Sequence, residues 1–121
     1  MLKTYRKEHR KIAMGLLSFH DHLSDSQHVL YSLERYETDG NLRLYLWQPE
    51  GGSNIQGIVG VEELPDRLVL HDVSIVPSYR GEGAGFEVLD QLKELYPEQT
   101  LVGTPNTATF LAKWRDRSRK E

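Results

Sequence analysis

The stretch Val76-Pro77-Ser78-Tyr79-Arg80-Gly81-Glu82-Gly83-Ala84-Gly85 constrains this chain more than any other. An apolar, strand-like run from Leu68 to Val76 leads into it, and a helix-like run from Phe86 to Leu95 leaves it. Glycine lets the backbone take positive φ and approach a ligand closely. The free N–H groups that open a helix point at an anion, and the helix dipole favours it. Arg80-x-x-Gly83-x-Gly85 therefore has the spacing of a pyrophosphate-binding turn, with Arg80 adding charge and forked donors. Each charge-assisted hydrogen bond there contributes roughly 1.5–3 kcal/mol. The plainer reading is a glycine-rich turn that caps a helix and holds nothing. Other phosphate motifs fail on residues. In a dinucleotide fingerprint counted from Gly81 or Gly83, the last small residue would be Phe86 or Val88, and no P-loop Gly-Lys-Ser or Gly-Lys-Thr occurs.

A chain of 121 residues suggests one domain, residues 1–121, with enough length for a core. The absence of cysteine excludes disulfides, thiolate zinc sites and cysteine nucleophiles. A net charge of −3 argues against generic nucleic-acid binding. No apolar run is long enough for a membrane span, and Met1-Leu2-Lys3-Thr4-Tyr5-Arg6 is too polar for a signal peptide. A cytoplasmic location, with neither nucleic acid nor membrane as partner, is the expectation. His20-x-His22 is the one close histidine pair, and we read it as a polar break without a metal.

Periodicity predicts a short strand over Leu2 to Tyr5 and a helix over Lys7 to Phe19, with Ile12, Ala13, Leu16 and Leu17 inward. Ser24 or Asp25 can cap a second helix to about Glu37, with Val29, Leu30, Leu33 and Tyr36 inward. Alternation at Leu42, Leu44 and Leu46 predicts a strand. Two more strands follow, Ile55 to Glu63 and Arg67 to Val76, joined by short turns into an antiparallel meander. Gly57 and Gly60 mark points of close approach. Phe86, Leu89, Leu92 and Leu95 form a helix stripe ending at Pro97. Thr100 to Gly103 is a short strand, parallel to its predecessor because a helix intervenes. Asn106 or Thr107 can cap a last helix to about Arg117, carrying Phe110, Leu111 and Trp114. The expected fold class is α/β (α+β): a mixed, mostly antiparallel sheet flanked by helices, in the order β-α-α-β-β-β-α-β-α.

That order, with the glycine turn after the fourth strand, resembles the GNAT acetyltransferases. Their signature is Arg or Gln, two residues, Gly, one residue, then Gly or Ala. Arg80 to Gly85 matches it, with Ile75-Val76-Pro77 as the usual lead-in. Within the family, Lys11 to Phe19, Tyr36 to Asp39, Leu44 to Trp47 and Gly57 to Glu62 resemble the small RibT proteins encoded beside riboflavin-synthesis enzymes. The resemblance implies acetyl-CoA as cosubstrate and an unidentified amine as acceptor. It implies that Arg80, Gly81, Glu82, Gly83, Ala84 and Gly85 bind the CoA pyrophosphate, and that Val73, Ser74, Ile75 and Val76 pair with the pantetheine arm. It adds Asn106 and Phe110 to the cofactor contacts.

The catalytic groups depart from the family pattern. In histone-acetylating members a Glu lies eleven residues before the signature Arg or Gln, and here that position is Val69. On a regular strand His71 points the same way as Val69 and Asp72 the opposite way, so His71 is the candidate base. Glu62 and Glu63 are alternatives, one of which must face the cleft. The family's acid, a Tyr on the last helix, aligns with Leu111. The hydroxyls of Thr109 and Ser74 are the candidates to bond the thiol sulfur. Substituting Gly83 by Val is expected to abolish CoA binding with the fold nearly intact. The run Lys113, Arg115, Arg117, Arg119 and Lys120 reads as a solvated helix face, or else as contacts to the CoA 3′-phosphate or an anionic substrate. The family's usual C-terminal strand pair has no counterpart after the last helix, so either a second subunit walls the acceptor site, the homodimer expected here, or that site is open. A non-catalytic acyl-CoA-binding module and a protein-interaction domain with a relic turn are the competing functions.

Overall fold

The computed structural model describes residues 1–19, 26–52, 54–79 and 83–120. Its elements are β1 (Leu2–Thr4), α1 (Arg10–Leu17), α2 (Ser26–Thr38), β2 (Leu42–Trp47), β3 (Gly57–Glu63), β4 (Arg67–Ile75), α3 (Ala84–Leu95), β5 (Thr100–Gly103) and α4 (Ala108–Lys120). Short 3₁₀ turns over Lys7–His9 and Pro77–Tyr79 lead into α1 and out of β4. The five strands form one sheet in chain order. β1 to β4 pair antiparallel, and β4 pairs parallel with β5. The helical crossover between β4 and β5 requires that last direction. Element order, meander and parallel final strand all follow the expected architecture.

Helices cover both faces of the sheet, so the strands alternate between two cores rather than between core and water. On one face Trp47, Val59, Val61, Leu68, Leu70 and Leu101 pack against Val88, Leu89 and Leu92 of α3 and Leu111 of α4. On the other, Leu44, Leu46 and Ile58 pack against Ala13, Leu16 and Leu17 of α1 and Val29 and Leu33 of α2. Each fully buried aliphatic side chain contributes about 1.5–3 kcal/mol relative to exposure. This explains why Trp47, which alternates with the buried leucines of β2, is itself 1% exposed.

Three helical stripes are narrower than the sequence pattern implies. Ile12 on α1 and Leu30 on α2 are exposed, and so is Leu95 on α3, where the buried set is Ala84, Val88, Leu89 and Leu92. Small Ala84 and β-branched Val88, spaced four apart, rotate the α3 contact away from Phe86 and Leu95. The caps proposed at Ser24 and Asp25, and the pair His20 and His22, lie outside the described residues. No helix among the described residues is long and apolar enough to cross a membrane.

Both strand glycines flagged as close-approach points are such points. A Cβ on Gly57 would stand 2.6 Å from Ile75 Cδ1. On Gly60 it would stand 2.0 Å from the Tyr36 hydroxyl, so α2 can lay a tyrosine across β3 only at a glycine.

Candidate active site

The site begins where β4 and β5 part. Their parallel register runs from Arg67↔Thr100 to Leu70↔Gly103 and stops. The stop has a chemical cause. The Thr107 hydroxyl donates to the Leu70 carbonyl at 2.8 Å, taking the acceptor at the end of the ladder. The same oxygen accepts from the Thr104 N–H at 2.9 Å. The Thr104 carbonyl in turn accepts from the N–H groups of Thr107 at 3.1 Å and Ala108 at 2.8 Å, closing the turn that precedes α4. The turn Pro105 to Thr107 thus leads into α4, held at both ends by Thr104 and Thr107. α4 begins at Ala108, so Thr107, one of the two caps the sequence suggested, stands directly before it, and its carbonyl accepts from the Leu111 N–H at 3.0 Å. Gly103 is needed because a Cβ there would stand 2.9 Å from Thr107 Oγ1.

Beyond that wedge β4 carries a bulge. Gly60 is opposite Asp72 and Val61 opposite Leu70, which leaves His71 as the extra residue. Leu68 and Leu70 face α3 and α4 before the bulge, and Val73 and Ile75 face them after it. His71 and Asp72 both lie on the α2 side. This corrects the expectation that Asp72 faces away from His71, because a bulge cancels strict alternation. Together with Ser32, Arg35, Tyr36, Leu42, Thr104 and Asn106 they line a cleft of about 170 Å³ between α2 and the parted strands.

Each carboxylate beside this cleft accepts from a donor. His71 Nε2 lies 2.9 Å from Glu62 Oε1. The Tyr36 hydroxyl donates to Asp72 Oδ2 at 2.5 Å. Burial first, then the charge and hydrogen bond of Asp72, push the Tyr36 phenol well above its usual 10.0. Glu62 thus faces the cleft side. Glu63 faces the opposite core, accepting from the Tyr96 hydroxyl at 2.6 Å and pairing with Arg43 at 3.5 Å.

The glycine turn is described from Gly83 onward, and Arg80, Gly81 and Glu82 lie outside the described residues. Gly83 caps α3 with φ +80°, and a Cβ there would meet nothing within 4 Å. Open space at a helix N-terminus suits an anion. It also revises the expected effect of valine at Gly83, since a β-branched residue at that φ strains the backbone before any ligand arrives. Ala84 is buried. Gly85 is covered by Phe110, whose Cζ would lie 2.7 Å from a Cβ at that position.

The remaining sequence candidates divide. Asn106 lines the cleft beside His71. Thr109 is exposed on α4 and does not line the cleft, so the structure does not bring it together with His71. The Ser74 hydroxyl donates to the Leu16 carbonyl at 2.6 Å, which ties β4 to α1 and removes it as a sulfur ligand. Val73 and Ile75 pack toward α3 and α4 and Val76 toward α1 and α2, so this stretch offers backbone rather than side chains. Two members of the basic run, Arg115 and Arg117, are held by other elements. Arg117 pairs with Asp90 at 2.8 Å and stacks over Phe86 at 5.3 Å, while Arg115 donates to the Leu101 carbonyl. Leu111, at the position of the family acid, is 1% exposed in the core. Sequence reasoning missed Arg35, Ser32 and the tie between Tyr36 and Asp72; Gly60 was their one signal.

A larger groove of about 790 Å³ lies between β1, the β2–β3 turn and the C-terminal half of α3. It holds neither histidine nor a strand splay. Among the described residues no three His, Cys, Asp or Glu side chains cluster as a metal site.

The profile of the acetyltransferase (GNAT) family matches residues 7–112. An uncharacterized N-acetyltransferase in the lysA 3′ region of Bacillus methanolicus is 37% identical over 114 residues, covering 93% of each chain. Among solved structures, the aminoglycoside N-acetyltransferase AAC(6')-Iy in complex with CoA superposes with a TM-score of 0.70 at 14% identity, over 97% of this chain and 84% of its own. A ribosomal-protein-alanine N-acetyltransferase from Brucella melitensis gives 0.65 at 16% identity, over 87% and 81%. The two structures share the fold; the family match spans the glycine turn, the bulged strand and the cleft, and the chain belongs to the GNAT acetyltransferases.

Proposed function

We propose that this GNAT enzyme transfers the acetyl group of acetyl-CoA to an amine held in the cleft beside His71, with His71 as general base. The observation that carries this reading is the bulge. It sets an imidazole where β4 leaves β5, with Nε2 2.9 Å from the Glu62 carboxylate. In that geometry Nε2–H donates to Glu62 and Nδ1 is left as the acceptor. A base oriented by a third group follows the logic of activated acid–base pairs.

In the reaction the amine nitrogen bonds to the thioester carbonyl carbon and loses a proton to His71 Nδ1. The C–S bond then breaks, and the CoA thiolate leaves with its electron pair. The proton on His71 is available to return to that thiolate. Positioning supplies part of the rate, and a general base adds about 10²–10⁴-fold. The N-terminus of α3 suits the pyrophosphate, and β4 beyond Leu70, without a strand partner on that side among the described residues, suits the pantetheine amides.

The resemblance to RibT proteins supports an acceptor linked to riboflavin metabolism, so amine-bearing flavin precursors belong in the panel. A second reading, a non-catalytic acyl-CoA-binding accessory, is favoured by one observation: Leu111 is sealed in the core where the family acid would be. Calorimetric titration with acetyl-CoA, followed by thiol release with an amine panel, separates the two. Micromolar binding with turnover of some amine supports the enzyme. Binding without turnover of any amine supports the accessory.

A further inference from the structure

The same cleft carries information about its acceptor. Its carboxylates are engaged, Glu62 with His71 and Asp72 with Tyr36. Its guanidinium is not. Arg10, Arg43, Arg67 and Arg117 each reach a carboxylate, whereas the Arg35 side chain makes no ion pair or hydrogen bond among the described residues, and only its backbone carbonyl is engaged, accepting from the Asp39 N–H. Its acidic neighbours on α2 are drawn away, Glu34 and Glu37 both toward Arg10. An exposed arginine is ordinary. One that lines the same small cleft as a candidate base is not, because both then face one bound molecule. At about 170 Å³ the cleft is below the usual 300–1,000 Å³ of small-molecule sites, so it admits a compact group.

We propose that the acceptor is a compact amine that also bears an anionic group, a carboxylate or a phosphate. The amine lies toward His71 and the anion lies on Arg35 of α2. The planar fork of arginine suits either anion. Ser32 on α2 and Asn106 at the head of α4 supply further polar groups on the two walls. This rests on the acetyltransferase reading, and it excludes polycationic amines, which would meet Arg35 with like charge.

The test uses the full chain with acetyl-CoA and matched amines. Glycine and β-alanine are compared with their amides, and phosphoethanolamine with ethanolamine. We expect kcat/KM to favour an anionic member over its neutral partner by roughly 10- to 100-fold, the worth of one charge-assisted hydrogen bond. Which pair shows the preference identifies carboxylate or phosphate. Arg35→Gln should collapse that ratio toward one, mainly through KM, and Arg35→Lys should keep part of it. As a readout without turnover, calorimetric titration of the CoA complex with N-acetylglycine and with its amide should show the same preference. Equal turnover of anionic and neutral amines, or a ratio unmoved by Arg35→Gln, would overturn this inference and leave the enzyme intact. Turnover of no amine by a chain that binds CoA would overturn both.

Discussion

The two halves of β4 do opposite jobs with the same backbone. From Arg67 to Leu70 the strand has partners on both sides, and Leu68 and Leu70 enter the α3–α4 core. From Asp72 to Ile75 it keeps β3 but has no strand partner on the β5 side among the described residues, and its polar side chains reach α1 and α2. One residue, His71, separates them. A regular strand cannot place both of two consecutive side chains on one face, and a bulge can. A ladder that ran on to Ile75 would be more stable and would leave no edge for a ligand. The comparison teaches that stability and binding are allotted to different ends of one strand, divided by the Thr107 hydroxyl on one side and the bulge on the other.

The largest effect is expected at the divider. His71→Ala should lower kcat/KM for a turned-over amine by about 10²–10⁴-fold, with acetyl-CoA affinity unchanged by calorimetry and the urea midpoint little moved. Wild-type turnover in that variant would mean that the second half of β4 binds without contributing a base. Leu70→Ala probes the first half. It should cost about 2–5 kcal/mol of stability in urea unfolding, as core truncations do. A loss below 1 kcal/mol would mean that the closed half is not where β4 derives its support.

How legible these halves are in sequence follows from their physics. The closed half follows period two, so its strand, its partners and its parallel neighbour could all be read. The bulge was misread because alternation was carried through it. Yet the phase slip is written in the chain: the core positions are Leu68 and Leu70, then Val73 and Ile75, with an interval of three between Leu70 and Val73. Period-two counting absorbs that slip unless the odd interval is sought. The cleft was legible only through Gly60, because Tyr36 reads as one more inward residue of an amphipathic helix until its partner across the sheet is known. Arg115 and Arg117 were beyond reach for a similar reason, since the acceptors that hold them, Leu101 and Asp90, lie on other elements.

Thr107→Val tests the wedge between the halves. It removes the donor to Leu70 O and the acceptor for Thr104 N–H while keeping the shape. Leaving buried polar groups unpaired costs about 1–3 kcal/mol. Thr107→Ser should recover most of that cost. A valine variant as stable as the parent would show that the strands part for reasons other than this hydroxyl.

The smallest effect sharpens the open half. Tyr36→Phe removes the phenol that donates to Asp72 and should cost about 0.5–1.5 kcal/mol near neutral pH. Its clearer signature is alkaline. The folded phenol is held above its usual 10.0 by burial and by Asp72, so below that pH both states keep the proton and the group adds no slope. Above it the unfolded chain releases the proton while the fold retains it, and stability falls as pH rises. Tyr5 and Tyr96 are raised as well, by burial first and then by hydrogen bonds to Glu37 and Glu63, so the parent protein should lose stability steeply above pH 10 through three phenols. Tyr36→Phe should remove one of those contributions and leave two. Urea unfolding at a series of alkaline pH values measures the slope directly. An unchanged slope would mean that Tyr36 ionises in the fold as readily as in the open chain, and that Asp72 is held by something other than this phenol.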